Sequence, residues 1–173
     1  TFPLIAKERS GEGGKNQSIL ENQRDLDYCI DKYPNHIYQE LIQGREFSVD
    51  LFADVKGIPQ LIVPRERLSV RGGEVMTSKI NMDESIINLV KALSPRLALT
   101  GPCNIQGILD ENSTFFFTDL NLRFGSGSVH TIAAGGNIPL MIYQEMAGQN
   151  LLEPSIQDHS VMTRYPENIF HHS

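Results

Sequence analysis

The sequence of 173 residues predicts an α+β fold, mainly antiparallel sheets with flanking helices. Apolar and polar residues alternate over 46–53, which is the two-residue period of a half-buried strand. The segments 103–109 and 114–120 are separated by four turn-forming residues, so we expect an antiparallel hairpin. Asp83 precedes an apolar stretch and is suited to cap a helix.

The remaining elements follow in chain order. The predicted strands are 4–7, 37–42, 46–53, 60–63, 75–80, 103–109 and 114–120, and the predicted helices are 21–33, 84–93 and 138–146. Ser94 and Pro95 should end the second helix, and Gly148 the third. Loops are expected at 8–16, 125–128 and 135–136, where glycines are dense.

Composition excludes several classes of protein. The formal net charge of −6 argues against a nucleic-acid partner, because such proteins must neutralise phosphates. No apolar run approaches the roughly 20 residues of a membrane span. Cys29 and Cys103 lack the spacing of a zinc site or a disulfide framework, which predicts two packed thiols and a cytoplasmic setting. The chain opens on a core strand without Met, which predicts a piece of a longer protein.

A glycine-rich loop follows Lys7 and is the first candidate for chemistry. Its backbone N–H groups can close over phosphates, and Lys7 adds positive charge. The loop is not a Walker A motif, since Arg9 stands where its first glycine would be. A G-x-G-x-x-G pattern fails at Asn16. A plain mobile hairpin is the alternative.

The segment 39–50 contains two carboxylates, Glu40 and Glu46, around a turn. Free backbone groups in such a segment can bind an adenine edge, and a carboxylate can accept the ribose hydroxyls. The alternative is a solvated hairpin with ordinary surface charges.

A polar face on the predicted hairpin is the most specific candidate. Asn104 and Gln106 lie two apart on one strand, and Asp119, Asn121 and Arg123 do so on the next. Oxygen ligands of this kind suit Mg²⁺, and the arginine suits a phosphate. Residues 120 and 122 should then turn towards the core. The alternative is a solvated polar strand face.

Three arginines, Arg65, Arg67 and Arg71, lie within one short segment of an acidic protein. They are suited to bind an anionic substrate, such as a carboxylate or a phosphate, and otherwise they are solvated surface charges. His130 lies near a glycine-rich loop, where a structural role is favoured over ligand contact.

Taken in order, these segments resemble an ATP-grasp enzyme, and most of all the large-chain group of carbamoyl-phosphate synthases. The stretch 119–123, Asp-Leu-Asn-Leu-Arg, is similar to the Glu-x-Asn-Pro-Arg motif of that family. The strand at 101–106 and the glycine-containing runs at 124–127 and 134–139 also have counterparts. The resemblance covers residues 4 to about 148.

The resemblance implies a two-lobed ATP-grasp fold, with a smaller lobe at 1–43 that carries the lid and a larger lobe at 44–173. It also implies a role for each matching residue. The nucleotide-binding residues would be Lys7, Ser10, Gly11, Gly13, Gly14, Glu40, Leu41, Ile42 and Glu46. The metal ligands would be Gln106, Asp119 and Asn121, with Asn121 and Arg123 as catalytic residues.

The implied activity is ATP- and Mg²⁺-dependent, with Mn²⁺ as a possible substitute. A carboxylate or bicarbonate is activated as an acyl phosphate and attacked by an amine or ammonia. The resemblance also implies a preceding α/β domain that completes the cleft, so that the fragment is inactive alone. Asp119 replaces the family's glutamate and Leu122 its proline. These departures keep two alternatives open, a degenerate nucleotide-binding or interaction module and an ATP-grasp kinase.

Overall fold

Two antiparallel sheets organise the computed structural model, which describes residues 1–10, 16–165 and 167. The elements in chain order are β1 Leu4–Glu8, β2 Ser18–Leu20, α1 Gln23–Lys32, β3 His36–Glu40, β4 Arg45–Ala53, β5 Pro59–Arg71, β6 Glu74–Ile80, α2 Glu84–Arg96, β7 Gly101–Leu109, β8 Phe115–Asn121, α3 Ser128–Ala133, α4 Ile138–Met146 and β9 Val161–Thr163. The predicted α+β class is confirmed.

The chain divides into two compact units. The described residues of 1–43 and 71–74 form the first unit, and those of 44–70 and 75–173 form the second. The first unit contains a three-stranded sheet in the order β2-β1-β3, and α1 covers an apolar cluster around Ala6, Leu20 and Cys29. Asn22 begins α1, because its side chain accepts a hydrogen bond from Asp25 N–H.

The second unit is built on a six-stranded sheet in the order β8-β7-β4-β5-β6-β9. Two apolar clusters pack on it. One contains Phe47, Val49, Leu51, Ile86, Val90, Leu99, Cys103, Ile105 and Leu109, from β4, α2 and β7. The other contains Phe52, Leu61, Val63, Ile80, Ala134, Ile138 and Met141, and α4 contributes to it. Helices therefore cover both sides of the sheet.

The predicted ends of two elements were wrong, and three elements were not predicted. Strand β5 has 13 residues and does not stop at Val63, because residues 64–66 continue the antiparallel pairing with β4, as far as Glu66 opposite Phe47. Helix α2 continues through Pro95 to Arg96 and ends where Ala98 adopts a φ of 49°. The structure also contains β2, α3 and β9, which the sequence patterns did not predict.

The cap of α2, the last helix and the two packed thiols are as predicted. The Asp83 carboxylate caps α2 by accepting hydrogen bonds from the N–H groups of Ser85 and Ile86. Helix α4 spans 138–146 as expected. Both cysteines are free and buried. Among the described residues no helix is both long and apolar enough to cross a membrane.

Candidate functional site

The polar face predicted for the hairpin is present on β7 and β8. These strands pair antiparallel, with Gln106 opposite Asp119 and Asn104 opposite Asn121. Residues directly opposite in an antiparallel pair project to the same face of the sheet. Two amides from β7 are therefore neighbours of a carboxylate and a third amide from β8.

A β-bulge makes this arrangement possible. Going along β8, Phe117 is opposite Gly107 but Asp119 is opposite Gln106, so that Thr118 is the extra residue. In a regular strand the side chains of Phe117 and Asp119 would share a face. The bulge places Phe115 and Phe117 on the α2 side, where Phe115 packs against the core, and leaves Asp119 on the polar side.

The prediction that Leu120 and Leu122 turn towards the core was wrong in part. Leu120 lies opposite Ile105, a core residue, and so is on the side away from Asp119. Its side chain nevertheless stays 41% exposed, because β8 is an edge strand of the sheet. Leu122 lies beyond the end of β8 and is 71% exposed, so it is not a core residue.

Hydrogen bonds orient the acidic side chain of this face. Asp119 Oδ1 accepts from the Leu120 N–H at 2.9 Å, and Asp119 Oδ2 accepts from Asn121 Nδ2 at 2.7 Å. One carboxylate and neighbouring amide oxygens are hard ligands, which fit Mg²⁺ or Mn²⁺ when phosphate oxygens and water complete the coordination. Within the described ranges, no three His, Cys, Asp or Glu side chains form a metal-binding group.

Arg67 joins this face to the neighbouring strand. Its Nη1 donates to Gln106 Oε1 and to Glu46 Oε1, each at 3.1 Å. The Arg67 side chain is largely buried, whereas Glu46 is half-exposed. Arg67, a predicted substrate residue, therefore contacts both Glu46, the predicted ribose residue, and Gln106, a predicted metal ligand. Arg123 lies two residues after β8, exposed, and donates from Nη1 to Phe124 O at 3.1 Å.

Next to these polar residues, on the same face of the sheet, lies a buried network that the sequence patterns did not predict. Its centre is Asp50, whose carboxylate is 1% exposed. Asp50 Oδ1 accepts from Asn104 Nδ2 at 2.7 Å and from Ser128 Oγ at 2.8 Å. Asp50 Oδ2 accepts from Arg65 Nε at 2.9 Å and from Thr131 Oγ1 at 2.5 Å. Strand β4 is thus buried on both faces, and the expectation of a half-buried strand was wrong.

This network changes the interpretation of the three arginines. Arg65 is 1% exposed and paired with Asp50, so its guanidinium is part of the interior and is neither a surface charge nor an open anion site. Arg65 Nη1 has no hydrogen-bond partner among the described residues, and it faces Gly127, where an added Cβ would lie 2.5 Å away. Arg71 is exposed at the end of β5 and belongs to the first unit.

The other predicted nucleotide residues are divided between the units. Lys7 is in β1 and Glu40 ends β3, with Leu41 and Ile42 directly after it; Ser10 is exposed after β1. All of these belong to the first unit, and Glu46 belongs to the second. The predicted residues Gly11, Gly13 and Gly14 lie outside the described residues.

His130 is buried in the second unit, on α3. Its Nδ1 is 2.8 Å from Ser78 Oγ and its Nε2 is 3.2 Å from Ser160 Oγ. Burial lowers the pKa of His130, and the nearby Arg65 lowers it further, while Asp50 acts in the opposite direction. The two serine contacts support the structural role that was favoured for this histidine.

Comparison with known proteins identifies the fold. Residues 32–168 match the family model described as "ATP-grasp in the biosynthetic pathway with Ter operon". A biotin carboxylase–β,γ-ATP complex from Campylobacter jejuni is 18% identical with a TM-score of 0.74, over 95% of this chain and 42% of that one. N5-carboxyaminoimidazole synthetase from Staphylococcus aureus, complexed with ADP, is 16% identical with a TM-score of 0.75, over 95% and 46%.

An L-amino acid ligase from Bacillus licheniformis is 19% identical with a TM-score of 0.60, over 90% of this chain and 40% of that one. The chain therefore spans less than half the length of each of these solved structures. The predicted ATP-grasp fold is confirmed, whereas the narrower resemblance to carbamoyl-phosphate synthases stays a prediction. Because the family model covers most of the chain, the protein belongs to the family described as ATP-grasp in the biosynthetic pathway with Ter operon.

Proposed function

We propose that this chain is the nucleotide- and metal-binding part of an ATP-dependent ligase. The ligase activates a carboxylate or bicarbonate as an acyl phosphate, which an amine or ammonia then attacks. The observation that carries the proposal is the register of β7 and β8, which places Asp119 and Asn121 beside Gln106 and Asn104 on one face. Family membership supports the same class of reaction.

Asp119, Asn121 and Gln106 would hold Mg²⁺, or Mn²⁺ in its place. When bound, the metal ion neutralises charge on the phosphate oxygens. Arg123 would bind the oxygens of the transferred phosphoryl group through charge-assisted hydrogen bonds, for which a guanidinium is well suited. Its exposed position leaves the side chain free to rotate away from Phe124 O when a phosphate is bound.

Among the three arginines, Arg67 is the best placed to bind the carboxylate or bicarbonate. It contacts Gln106, a proposed metal ligand, whereas the Arg65 guanidinium is bound to Asp50 in the interior. A cation beside the metal ligands would hold the anionic acceptor near the phosphoryl group and so favour reaction by proximity. Arg71 has no corresponding contact with the proposed metal ligands on β7 and β8 in the described part of the chain.

For the nucleotide, we propose the roles that the resemblance to ATP-grasp enzymes implies for the matching residues. Lys7, Ser10 and the glycines that follow would contact its phosphates, and the backbone of 40–42 would contact the adenine. Glu46 would accept the ribose hydroxyls. We also propose that a preceding domain of the same polypeptide completes the cleft for the two small-molecule substrates, in keeping with the partial coverage of the solved structures.

The test is isothermal titration of ATP into the full-length protein, with and without Mg²⁺. We expect Mg²⁺ to strengthen ATP binding at least about tenfold in the unmodified protein, and Asp119→Asn to remove this difference, because the one carboxylate among the proposed metal ligands is lost. The matched control is Glu111→Gln, which removes the same charge from an exposed position at the turn of the same hairpin. An equal loss in both variants would contradict a metal site at Asp119.

Product analysis decides the type of reaction. A ligase releases phosphate and joins two substrates, and we expect Asp119→Ala to abolish this Mg-ATP-dependent release. A stable phosphorylated product would instead identify a kinase. ATP binding with no turnover, in a well-folded full-length protein supplied with candidate carboxylates and amines, would identify a degenerate binding module.

A further inference from the structure

We infer that Ser128 is a positioning residue, through which the buried Asp50 holds the backbone next to Arg123. The inference rests on the proposed function for its catalytic consequence. It concerns a residue that contacts neither the proposed metal ligands nor the exposed Arg123 side chain in the described structure.

A continuous chain of hydrogen bonds supports this role. Ser128 Oγ donates to Asp50 Oδ1 at 2.8 Å and accepts from the Gly125 N–H at 3.0 Å. A hydroxyl group has one proton and two lone pairs, so it can make both bonds at the same time. Gly125 is two residues from Arg123, whose guanidinium already contacts the carbonyl of Phe124. The buried carboxylate thus has a direct path to the segment that carries the proposed phosphate ligand.

The same segment fits closely on the network below it. A Cβ added at Gly125 would lie 2.9 Å from Asn104 Cγ, and Asn104 is itself bound to Asp50 Oδ1. Asn104 is also the register partner of Asn121, a proposed metal ligand. Asp50 Oδ1 therefore organises both the backbone after Arg123 and the amide beside Asn121. On the outer side, Arg164 Nη2 donates to Ser126 O at 2.7 Å.

Thr131 supplies a matched control within the same helix. Thr131 and Ser128 are both buried on α3, and each donates one hydroxyl hydrogen bond to Asp50. Thr131 binds the other carboxylate oxygen, Oδ2, and its hydroxyl makes no hydrogen bond to Gly125 in the described part of the chain. Ser128→Ala and Thr131→Val each remove one hydroxyl from the network, but only the first removes the link to Gly125.

The experiment compares these two variants in the full-length protein with two measurements. The first is hydrogen exchange without any ligand, followed at the Gly125 amide by mass spectrometry with fragmentation to single residues. We expect exchange to become at least about fivefold faster in Ser128→Ala, because the amide loses its acceptor, and to stay within about twofold of the unmodified protein in Thr131→Val.

The second measurement is steady-state kinetics of Mg-ATP-dependent phosphate release, at temperatures where both variants are folded. We expect Ser128→Ala to lower kcat about ten- to a hundredfold with little change in the KM for ATP, since small misplacement of a catalytic group has effects of this size. Thr131→Val should change kcat by about twofold or less. A similar fall of kcat in both variants, or faster Gly125 exchange with unchanged kcat, would overturn the inference.

The two measurements also separate this inference from the proposed function. If the unmodified protein releases no phosphate from Mg-ATP, the proposed function fails. The exchange comparison still tests the structural step, because it needs no nucleotide. Equal Gly125 exchange in the two variants would then refute positioning by Ser128, and selective acceleration in Ser128→Ala would support it.

Discussion

Arg65 Nε donates a 2.9 Å hydrogen bond to Asp50 Oδ2 inside the second unit, and each side chain is only 1% exposed. At this depth both charges are removed from water, which costs free energy. Each charge is therefore compensated only while its partner is present. The hydroxyl and amide hydrogen bonds to Asp50 compensate the remaining lone pairs of the carboxylate. The pair also lies beside the proposed metal ligands, since Asp50 is the register partner of Asn104 and Asn104 that of Asn121.

Removing one partner of this pair should destabilise the protein strongly. We expect Asp50→Ala to lower the free energy of unfolding by about 3–5 kcal/mol, because the Arg65 charge is left buried and uncompensated. Urea unfolding measures the change. As a control, Arg45→Met breaks the exposed pair between Arg45 and Glu66 and should cost about 1 kcal/mol or less. Losses of equal size would contradict the burial of the Asp50–Arg65 pair.

Gly127 should not tolerate a side chain, although its backbone conformation is ordinary. Its φ is −91°, yet an added Cβ would lie 2.5 Å from Arg65 Nη1 and 2.7 Å from Val75 Cγ1. We therefore expect Gly127→Ala to destabilise the protein by about 1–3 kcal/mol through overpacking, as measured by thermal unfolding. The neighbouring exposed substitution Ser126→Ala should change stability by about 0.5 kcal/mol or less. A neutral Gly127→Ala would refute the close packing.

His130 should make the protein less stable on mild acidification. Its pKa is lowered in the folded state by burial and by Arg65, so the neutral form is favoured there. Stability from this group is therefore present above the unfolded-state pKa of about 6.5 and is lost as the pH falls through that value, because the unfolded chain binds a proton that the folded chain does not.

The check is the free energy of unfolding measured between pH 8 and pH 5.5. His130→Gln should make the free energy of unfolding depend less steeply on pH, by an amount smaller than the binding of one proton would give. His159→Gln, at an exposed histidine, serves as the control. An unchanged slope in His130→Gln would show that this group does not contribute to the pH dependence.

The Asp83 cap of α2 should contribute measurably to the free energy of unfolding. The Asp83 carboxylate accepts from the Ser85 N–H at 3.0 Å and from the Ile86 N–H at 3.3 Å, and the hydrogen bond from the Ser85 side chain is the main reason that its pKa is lowered. We expect Asp83→Ala to cost about 0.5–2 kcal/mol, and Asp83→Ser to retain most of that, in thermal unfolding. If Ser and Ala were equivalent here, capping would not be the cause.

Local patterns account for the parts of the fold that were predicted correctly. The cap at Asp83 depends on residues two and three positions away, and the β7–β8 hairpin depends on a short turn. The paired polar residues of the site followed from the two-residue period on each strand. The residues that make these interactions lie close together along the chain, so a single segment of the sequence is enough to predict them.

The buried network was not predictable in this way. The partners of Asp50 are 15, 54, 78 and 81 residues away in the sequence, so no local pattern distinguishes Asp50 from the aspartates of an exposed strand face. Arg65 was assigned to a surface or substrate role for the same reason. The sheet order, which places β4 between β7 and β5, brings Asn104 and Arg65 to Asp50, and the packing of α3 brings Ser128 and Thr131.

The bulge at Thr118 has a consequence for how this segment tolerates change in length. The one extra residue lets Phe115 and Phe117 face the core while Asp119 faces the site, so Thr118 separates two regularly paired parts of β8. Replacing Thr118 keeps the spacing, and we expect it to be tolerated. Deleting it would make Phe117 and Asp119 successive residues of a regular strand, which still project to opposite faces of the sheet and still lie opposite Gly107 and Gln106, so we expect this position to tolerate a one-residue deletion as well as a substitution.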